Sequence, residues 1–243
     1  MHIFITGGTR GIGNGLVKEF LAKGHQLSYT GTSQKSIDNS IKDIKGDYKT
    51  FICDVRNRVD IEKAMSQAID SFGNIDIWIN NAGVDQARHD VSDLSEAEIK
   101  RVIDINVLGT MNGTSIALQQ MKKQKYGVIY NFEGLGSNNM VIPKTIIYGS
   151  SKRLITYFSK ACNKELKEYK NIFVGTIQPG MVFTDLLLSN MNDDGMKIAK
   201  ILGNEVSYVA PRIVKRVLQG KKKIQVMNNL QITWRFMTSI FKK

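Results

Sequence analysis

The feature that most constrains this chain sits at its start. A short apolar run, His2–Thr6, breaks into Thr6-Gly7-Gly8-Thr9-Arg10-Gly11-Ile12-Gly13, and a helical pattern then runs through Leu16, Val17, Phe20 and Leu21 to Gly24. A strand that turns on glycines straight into a helix presents unpaired backbone N–H groups and the positive end of a helix dipole to one point. Glycines at that point let the backbone turn tightly and approach a phosphate closely. The context of strand, turn and helix is what separates a dinucleotide cradle from an ordinary glycine-rich turn.

The rest of the chain alternates in the same way. Gln26–Thr32, Lys49–Val55, Ile75–Asn80, Gly127–Phe132, Ile172–Gln178 and Lys223–Met227 read as further strands. Arg58–Phe72, Glu96–Lys122, Ile146–Tyr169 and Val206–Leu218 read as helices between them. Strands separated by helices pair in parallel through right-handed crossovers, with helices on both faces. The expectation is one α/β domain over residues 1–243, a doubly wound parallel sheet of about seven strands. Ligands in such sheets lie beyond the carboxyl ends of the strands, so the residues following strands one, four, five and six are the ones to inspect.

Composition excludes several alternatives. With 42% apolar and 23% charged residues the chain can bury a core. The net charge of +12 is concentrated at one end: Val206–Lys243 holds nine Lys/Arg and no acid, while the other 205 residues carry 25 bases and 22 acids. That is a near-neutral domain with a cationic tail, and no groove-reading motif accompanies it, so nucleic acid is not expected as a partner. Cys53 and Cys162 make neither a zinc spacing nor a disulfide framework, and no metal is expected. No apolar run reaches the ~18 residues of a membrane span and no signal peptide is visible, which makes a cytoplasmic location the expectation.

The glycine turn, T-G-x3-G-x-G, resembles that of the short-chain dehydrogenase/reductase family. Four further segments follow in the family's order: Asp54-Val55, Asn80-Asn81-Ala82-Gly83, Tyr148-Gly-Ser-Ser-Lys152, and Pro179-Gly180 with Thr184. The resemblance implies a Rossmann fold and a nicotinamide dinucleotide held by Gly7, Thr9, Arg10, Gly11, Ile12, Gly13, Asp54, Val55, Asn80, Ala82, Gly83, Tyr148, Lys152, Pro179, Gly180 and Thr184. It implies proton transfer by Tyr148, tuning of that phenol and ribose binding by Lys152, and a water relay supported by Asn106. Tyr148 and Lys152 are four apart, so a helix carries them on one face, where a nearby ammonium lowers a phenol's pKa. A homodimer or homotetramer through the two long helices is implied as well.

Strand two ends in Thr30-Gly-Thr-Ser-Gln-Lys35, without the acid of an NAD site. Arg10, Thr32, Ser33 and Lys35 could hold a 2′-phosphate, so NADP(H) is expected over NAD(H). The family's active-site serine is where the chain departs from the pattern. In Asn131-Phe132-Glu133-Gly134-Leu135-Gly136-Ser137-Asn138 its position falls on Gly134, and Ser137 is the nearest hydroxyl. Ser137 is expected to replace it by a local shift, with Asn138 or a water as alternatives. Glu133 is either a solvated or structurally paired carboxylate or an electrostatic contact to substrate or Lys152. This segment, together with Gly180–Ser189, resembles the chlorophyll b reductase branch and implies a bulky apolar carbonyl.

Residues 185–205 fall at the family's mobile substrate loop, where Leu186–Leu188, Met191 and Met196 either line an apolar pocket or pack on the domain. In Leu230–Lys243, Leu230, Trp234, Met237 and Phe241 follow helical spacing beside Arg235, Lys242 and Lys243. Residues 229–243 therefore read as a basic amphipathic helix, for an anionic membrane surface or for packing on the domain or a second subunit. The function expected is an NADP(H)-dependent oxidoreductase interconverting carbonyl and alcohol on a hydrophobic lipid-, steroid- or polycyclic-like substrate. The alternative is a catalytically weak NADPH-binding regulator acting through its tail.

Overall fold

In a computed structural model, which describes residues 1–240, seven parallel strands form one sheet in the order β3-β2-β1-β4-β5-β6-β7. They are β1 His2–Thr6, β2 Gln26–Gly31, β3 Tyr48–Ile52, β4 Ile77–Asn80, β5 Gly127–Phe132, β6 Ile172–Gln178 and β7 Lys223–Gln225. The chain runs outward from β1 to β3 and then returns past β1 to start β4. The carboxyl ends of β1 and β4 therefore flank the crevice where the winding reverses.

β1 is buried along its whole length, as a strand covered on both faces should be. On one face, α1 (Gly11–Ala22) and α9 (Val206–Leu218) lay Leu16, Val17, Phe20, Val209, Ile213 and Val214 over Ile3, Ile5, Leu27 and Tyr29. On the other, α3 (Arg58–Phe72) and α5 (Gly109–Gln124) lay Ile61, Ala64, Ile116 and Met121 over Phe4, Trp78 and Ile129, and α6 (Ile146–Glu165) lays Cys162 there too. Phe4 stacks on Trp78 with ring centroids 4.1 Å apart. Each fully buried side chain of this size contributes roughly 1.5–3 kcal/mol. Both cysteines are buried and free.

Helix α4 (Glu96–Ile103) continues into α5 through one π-helical turn, Asp104–Leu108, so the long helix expected over 96–122 carries a wide turn at Asn106. Such turns inside α-helices often mark functional sites. Three elements were not expected. α2 (Gln34–Ile41) buries only Ile37 and Ser40, too few positions to reveal a period, and starts from a Ser33/Ser36 capping box. The span expected as a substrate loop holds α7 (Asp185–Leu188) and α8 (Asp193–Leu202). The tail helix is present as α10 (Asn229–Ile240); the expected positions Phe241, Lys242 and Lys243 lie outside the described residues. Among the described residues no helix is long and apolar enough to cross a membrane.

Candidate active site

The glycine turn closes on the loop after β4. Gly7 has φ +66, and a Cβ there would lie 2.9 Å from the Ala82 backbone, so only glycine allows this approach. Asn81, not singled out from sequence, holds the turn: its Nδ2 donates to the carbonyls of Thr6 (3.1 Å) and Gly7 (2.8 Å). Thr6 Oγ1 accepts from the backbones of Asn81 and Ala82. α1 begins at Gly11 with no side-chain cap from Arg10 and no acid in its first turn, so the N–H groups of Gly11, Ile12 and Gly13 lack intrahelical partners. The Thr184 methyl lies 3.3 Å from where a Gly11 Cβ would be, which brings the segment after β6 across the same turn. An uncapped, acid-free helix start floored by glycines fits a dinucleotide pyrophosphate.

The other cofactor-side positions divide. Arg10, Thr32, Ser33 and Lys35 are all exposed. The Ser33 hydroxyl also accepts from Ser36 N, capping α2. The Asp54 carboxylate is gripped by Arg56 (2.6 Å at the closest), which holds it below the usual carboxylate range. Asn80 is buried and turned into the protein: it accepts from Trp78 Nε1 (2.8 Å) and donates to Thr114 Oγ1 and Asn131 Oδ1. Its side chain ties β4 and β5 to α5 rather than facing the crevice. Gly180 follows Pro179 with φ +77 and open space around it.

α6 carries Tyr148 and Lys152 one turn apart. Lys152 Nζ lies 5.7 Å from the Tyr148 ring centroid and donates to Phe132 O at 3.3 Å. Burial pulls the Lys152 ammonium down to about 8, opposed in part by Asp85. Burial pushes the Tyr148 phenol above its usual value, Asp85 adds to that, and Arg88 opposes it. The lowering of the phenol expected from Lys152 is outweighed by this desolvation. Asn106, fully buried in the π-turn, donates from Nδ2 to Val84 O (2.9 Å) and Ser151 Oγ (3.2 Å) and accepts Val84 N–H (2.9 Å). It thereby locks the loop after β4 to α6.

The segment after β5 departs from the expectation for Ser137. Its buried hydroxyl accepts the Gly134 N–H (3.0 Å) and donates to Lys152 O (3.3 Å). In this structure its proton goes to the backbone, and the hydroxyl braces the loop against α6. Gly134 lies directly beneath the Tyr148 hydroxyl: a Cβ there would be 2.6 Å from Tyr148 Oη and 3.1 Å from Lys152 Cγ. Asn138 is exposed and its side chain accepts Met140 N–H. Glu133 is buried and accepts from Thr156 Oγ1 at 3.2 Å, the paired-carboxylate alternative.

The short chain dehydrogenase pattern matches residues 1–194, and the chain belongs to that family of oxidoreductases. Chlorophyll(ide) b reductase NOL of rice (Oryza sativa subsp. japonica), a chloroplastic protein, is 32% identical over 250 residues, covering 98% of this chain and 72% of the rice protein. The probable chlorophyll(ide) b reductase NYC1 of Arabidopsis thaliana is 30% identical over 94% of this chain, which spans half the length of that relative. The similarity thus extends well beyond the Asn131–Ser189 stretch in which motifs made it visible. Among solved structures, the 3-ketoacyl-(acyl-carrier-protein) reductase of Brucella melitensis complexed with NADH has a TM-score of 0.82 at 20% identity, covering 93% of this chain and 96% of that one.

Proposed function

We propose that this chain is an NADP(H)-dependent oxidoreductase that interconverts a carbonyl and an alcohol on a hydrophobic, polycyclic- or lipid-like substrate. The observation that carries the reading is the Tyr148 hydroxyl and the Lys152 ammonium on adjoining turns of α6, beside a glycine cradle suited to a dinucleotide. A nicotinamide held there supplies or accepts the hydride. Tyr148 gives its phenolic proton to the substrate oxygen in reduction and takes it back in oxidation. Lys152, anchored on Phe132 O, sets a positive charge against the phenolate left behind. Asn106 holds the Val84 backbone and Ser151 in register with Tyr148. Ser137 fixes the Gly134 backbone under the hydroxyl, and Tyr148 is the group that addresses the oxygen.

Support for NADP(H) lies at the end of β2, where Thr32, Ser33 and Lys35 are exposed at the start of α2 with no acid among them, and in the exposed Arg10 that precedes α1. Support for an apolar substrate lies in Leu186, Leu188 and Ile198, exposed on α7 and α8, and in relatives named as chlorophyll(ide) b reductases. Exposed Leu108, Leu154 and Tyr157 on the long helices support self-association. NADPH and NADH consumption with a panel of hydrophobic ketones and aldehydes tests the reading. Turnover with at least tenfold preference for NADPH supports it, a tenfold preference for NADH overturns the cofactor assignment, and no turnover with tight NADPH binding favours the regulator.

The tail supports a contact with an anionic membrane surface. Leu230, Trp234 and Met237 share one face of α10 and are 81%, 62% and 50% exposed, and the exposed Lys221–Lys223 precede them. Each base near such a surface adds about 1 kcal/mol, screened by salt. Arg235 Nη2 donates to Asn204 Oδ1 (2.8 Å), so point changes test this better than truncation does. Sedimentation with anionic vesicles at low salt, weakened near ~0.5 M salt and lost in Leu230→Ser/Trp234→Ser, is expected. A protein that ignores those vesicles at low salt refutes the contact.

A further inference from the structure

The first N–H groups of a helix have no partner within it and must find one elsewhere. In α2, α3, α4 and α8 the residue just before the helix provides it: Ser33, Asn57, Ser95 and Asn192 each accept a backbone N–H. α6 is different. Thr145, at its start, makes no such bond, and its hydroxyl donates instead to Ile142 O (2.7 Å). The N–H of Tyr148, in the first turn, donates to Gln86 Oε1 at 2.8 Å, across 62 residues of sequence.

Gln86 has no exposed surface. A buried carboxamide is costly unless its polar atoms are met, and here they are. Oε1 accepts the Tyr148 N–H and Nε2 donates to Ala87 O (3.4 Å), while the Gln86 backbone carbonyl accepts from Arg88 Nη1 (3.0 Å). Its backbone N–H donates to Asp85 Oδ1 (2.8 Å), and Arg88 forks onto both Asp85 oxygens (3.0 and 2.5 Å). Arg101 on α4 donates to Asp85 O (2.7 Å), and Glu98 on α4 accepts Ala87 N–H (3.0 Å). Residues 85–88 are thus a braced segment at the mouth of the crevice, and Gln86 joins it to the turn that bears Tyr148.

We propose that Gln86 is a positioning residue: by accepting the Tyr148 N–H it fixes the first turn of α6 and holds the Tyr148 hydroxyl over Gly134. This rests on the carbonyl-reductase reading above and deepens it. The backbone of Tyr148 is held from the loop after β4, while its hydroxyl meets the loop after β5. The link from Gln86 sets the distance between the two. A side chain with the same reach and an acceptor oxygen preserves the arrangement; one without an acceptor, or about 1.5 Å shorter, does not.

The test compares Gln86→Met and Gln86→Asn with the wild-type chain in two independent measurements. In steady-state carbonyl reduction, Met and Asn are expected to lower kcat at least ~10-fold, with KM and NADPH affinity within ~3-fold. In native-state hydrogen exchange, the Tyr148 amide is expected to exchange at least ~10-fold faster in Gln86→Met, while interior α6 amides such as Ile155 stay protected. Wild-type kcat in Gln86→Met overturns the proposal. Equal losses of kcat and NADPH affinity, or an unchanged Tyr148 amide, overturn it as well. If the wild-type chain reduces no carbonyl, the reductase reading falls, and the exchange measurement still decides whether Gln86 holds Tyr148.

Discussion

Placing a side chain at Gly134 tests whether the missing serine is a loss or a requirement. The Gly134 backbone is outside the left-handed region, so alanine is not strained there. The new methyl would meet Tyr148 Oη at 2.6 Å, against an ordinary contact of 3.4 Å or more, so the hydroxyl must retreat by roughly 0.8 Å. The tip of a tyrosine can move, so the stability cost should fall at the low end of overpacking, about 1 kcal/mol. Activity is more sensitive. Misplacing a reacting group by about 1 Å costs up to ~100-fold, or about 2.7 kcal/mol in the barrier. The assay is NADPH-dependent reduction of the best carbonyl from the panel, with NADPH affinity and Tm measured on the same samples. Gly134→Ala should lower kcat/KM by ~30- to 100-fold with NADPH affinity nearly unchanged. Gly134→Ser should fall as far, because the displaced phenol outweighs the added donor. A Gly134→Ser protein as active as the wild type, or more so, would refute the argument and restore the simple picture of a lost serine.

Removing the phenol alone, in Tyr148→Phe, should lower turnover at least ~100-fold with NADPH binding retained; near-normal turnover would show that another group gives the proton. Ser137→Ala leaves the Gly134 N–H without its side-chain acceptor, while Lys152 O keeps the Thr156 hydroxyl, and should cost about 1–3 kcal/mol of stability in a denaturant titration. Its turnover should fall no further than loosening of Gly134 explains, and a stable variant with turnover down ~1000-fold would return Ser137 to the chemistry. Lys152→Met should stabilise the protein free of cofactor in a pH-dependent way. The Lys152 ammonium has a value of about 8 in the folded protein against 10.5 ordinarily, so its burial opposes folding below about pH 8. The penalty is relieved as pH rises from 8 to 10.5, where the unfolded chain still holds the proton that the folded one has lost. The variant's gain, of order 3 kcal/mol near pH 7, should vanish by that upper limit. A gain that does not change with pH would contradict this.

The parts that were legible in the sequence are those whose residues act locally. The glycine turn had to follow a strand and open a helix, and it does. Tyr148 and Lys152 had to share a helix face, and α6 provides it. The alternating pattern gave the strands because a parallel sheet buries both faces, leaving continuous apolar runs such as β1 and β4. What was not legible depends on contacts distant in sequence. Nothing around Gln86 marks it as the acceptor for a residue 62 positions away. The commitment of the Ser137 proton to Lys152 O depends on how the loop after β5 packs on α6. α2 escaped notice because a helix burying only Ile37 and Ser40 has no period to read.

Spacing makes a lysine one turn from a tyrosine look like a source of phenolate, yet the low dielectric around the pair acts on both groups toward their neutral forms. A free phenol is already protonated at neutral pH, and burial, with Asp85 behind it, pushes Tyr148 further in that direction. A protonated phenol is the form that donates to a substrate oxygen, the step reduction requires; oxidation would need the phenolate that desolvation opposes. The Lys152 ammonium is still charged at pH 7, so a positive charge stands 5.7 Å from the ring centroid when the proton departs. The missing side chain at Gly134 fits the same arrangement, because it lets the hydroxyl settle against the backbone. In the protein free of cofactor the pair therefore rests as a neutral phenol beside an ammonium, the proton-donating state of the proposed exchange.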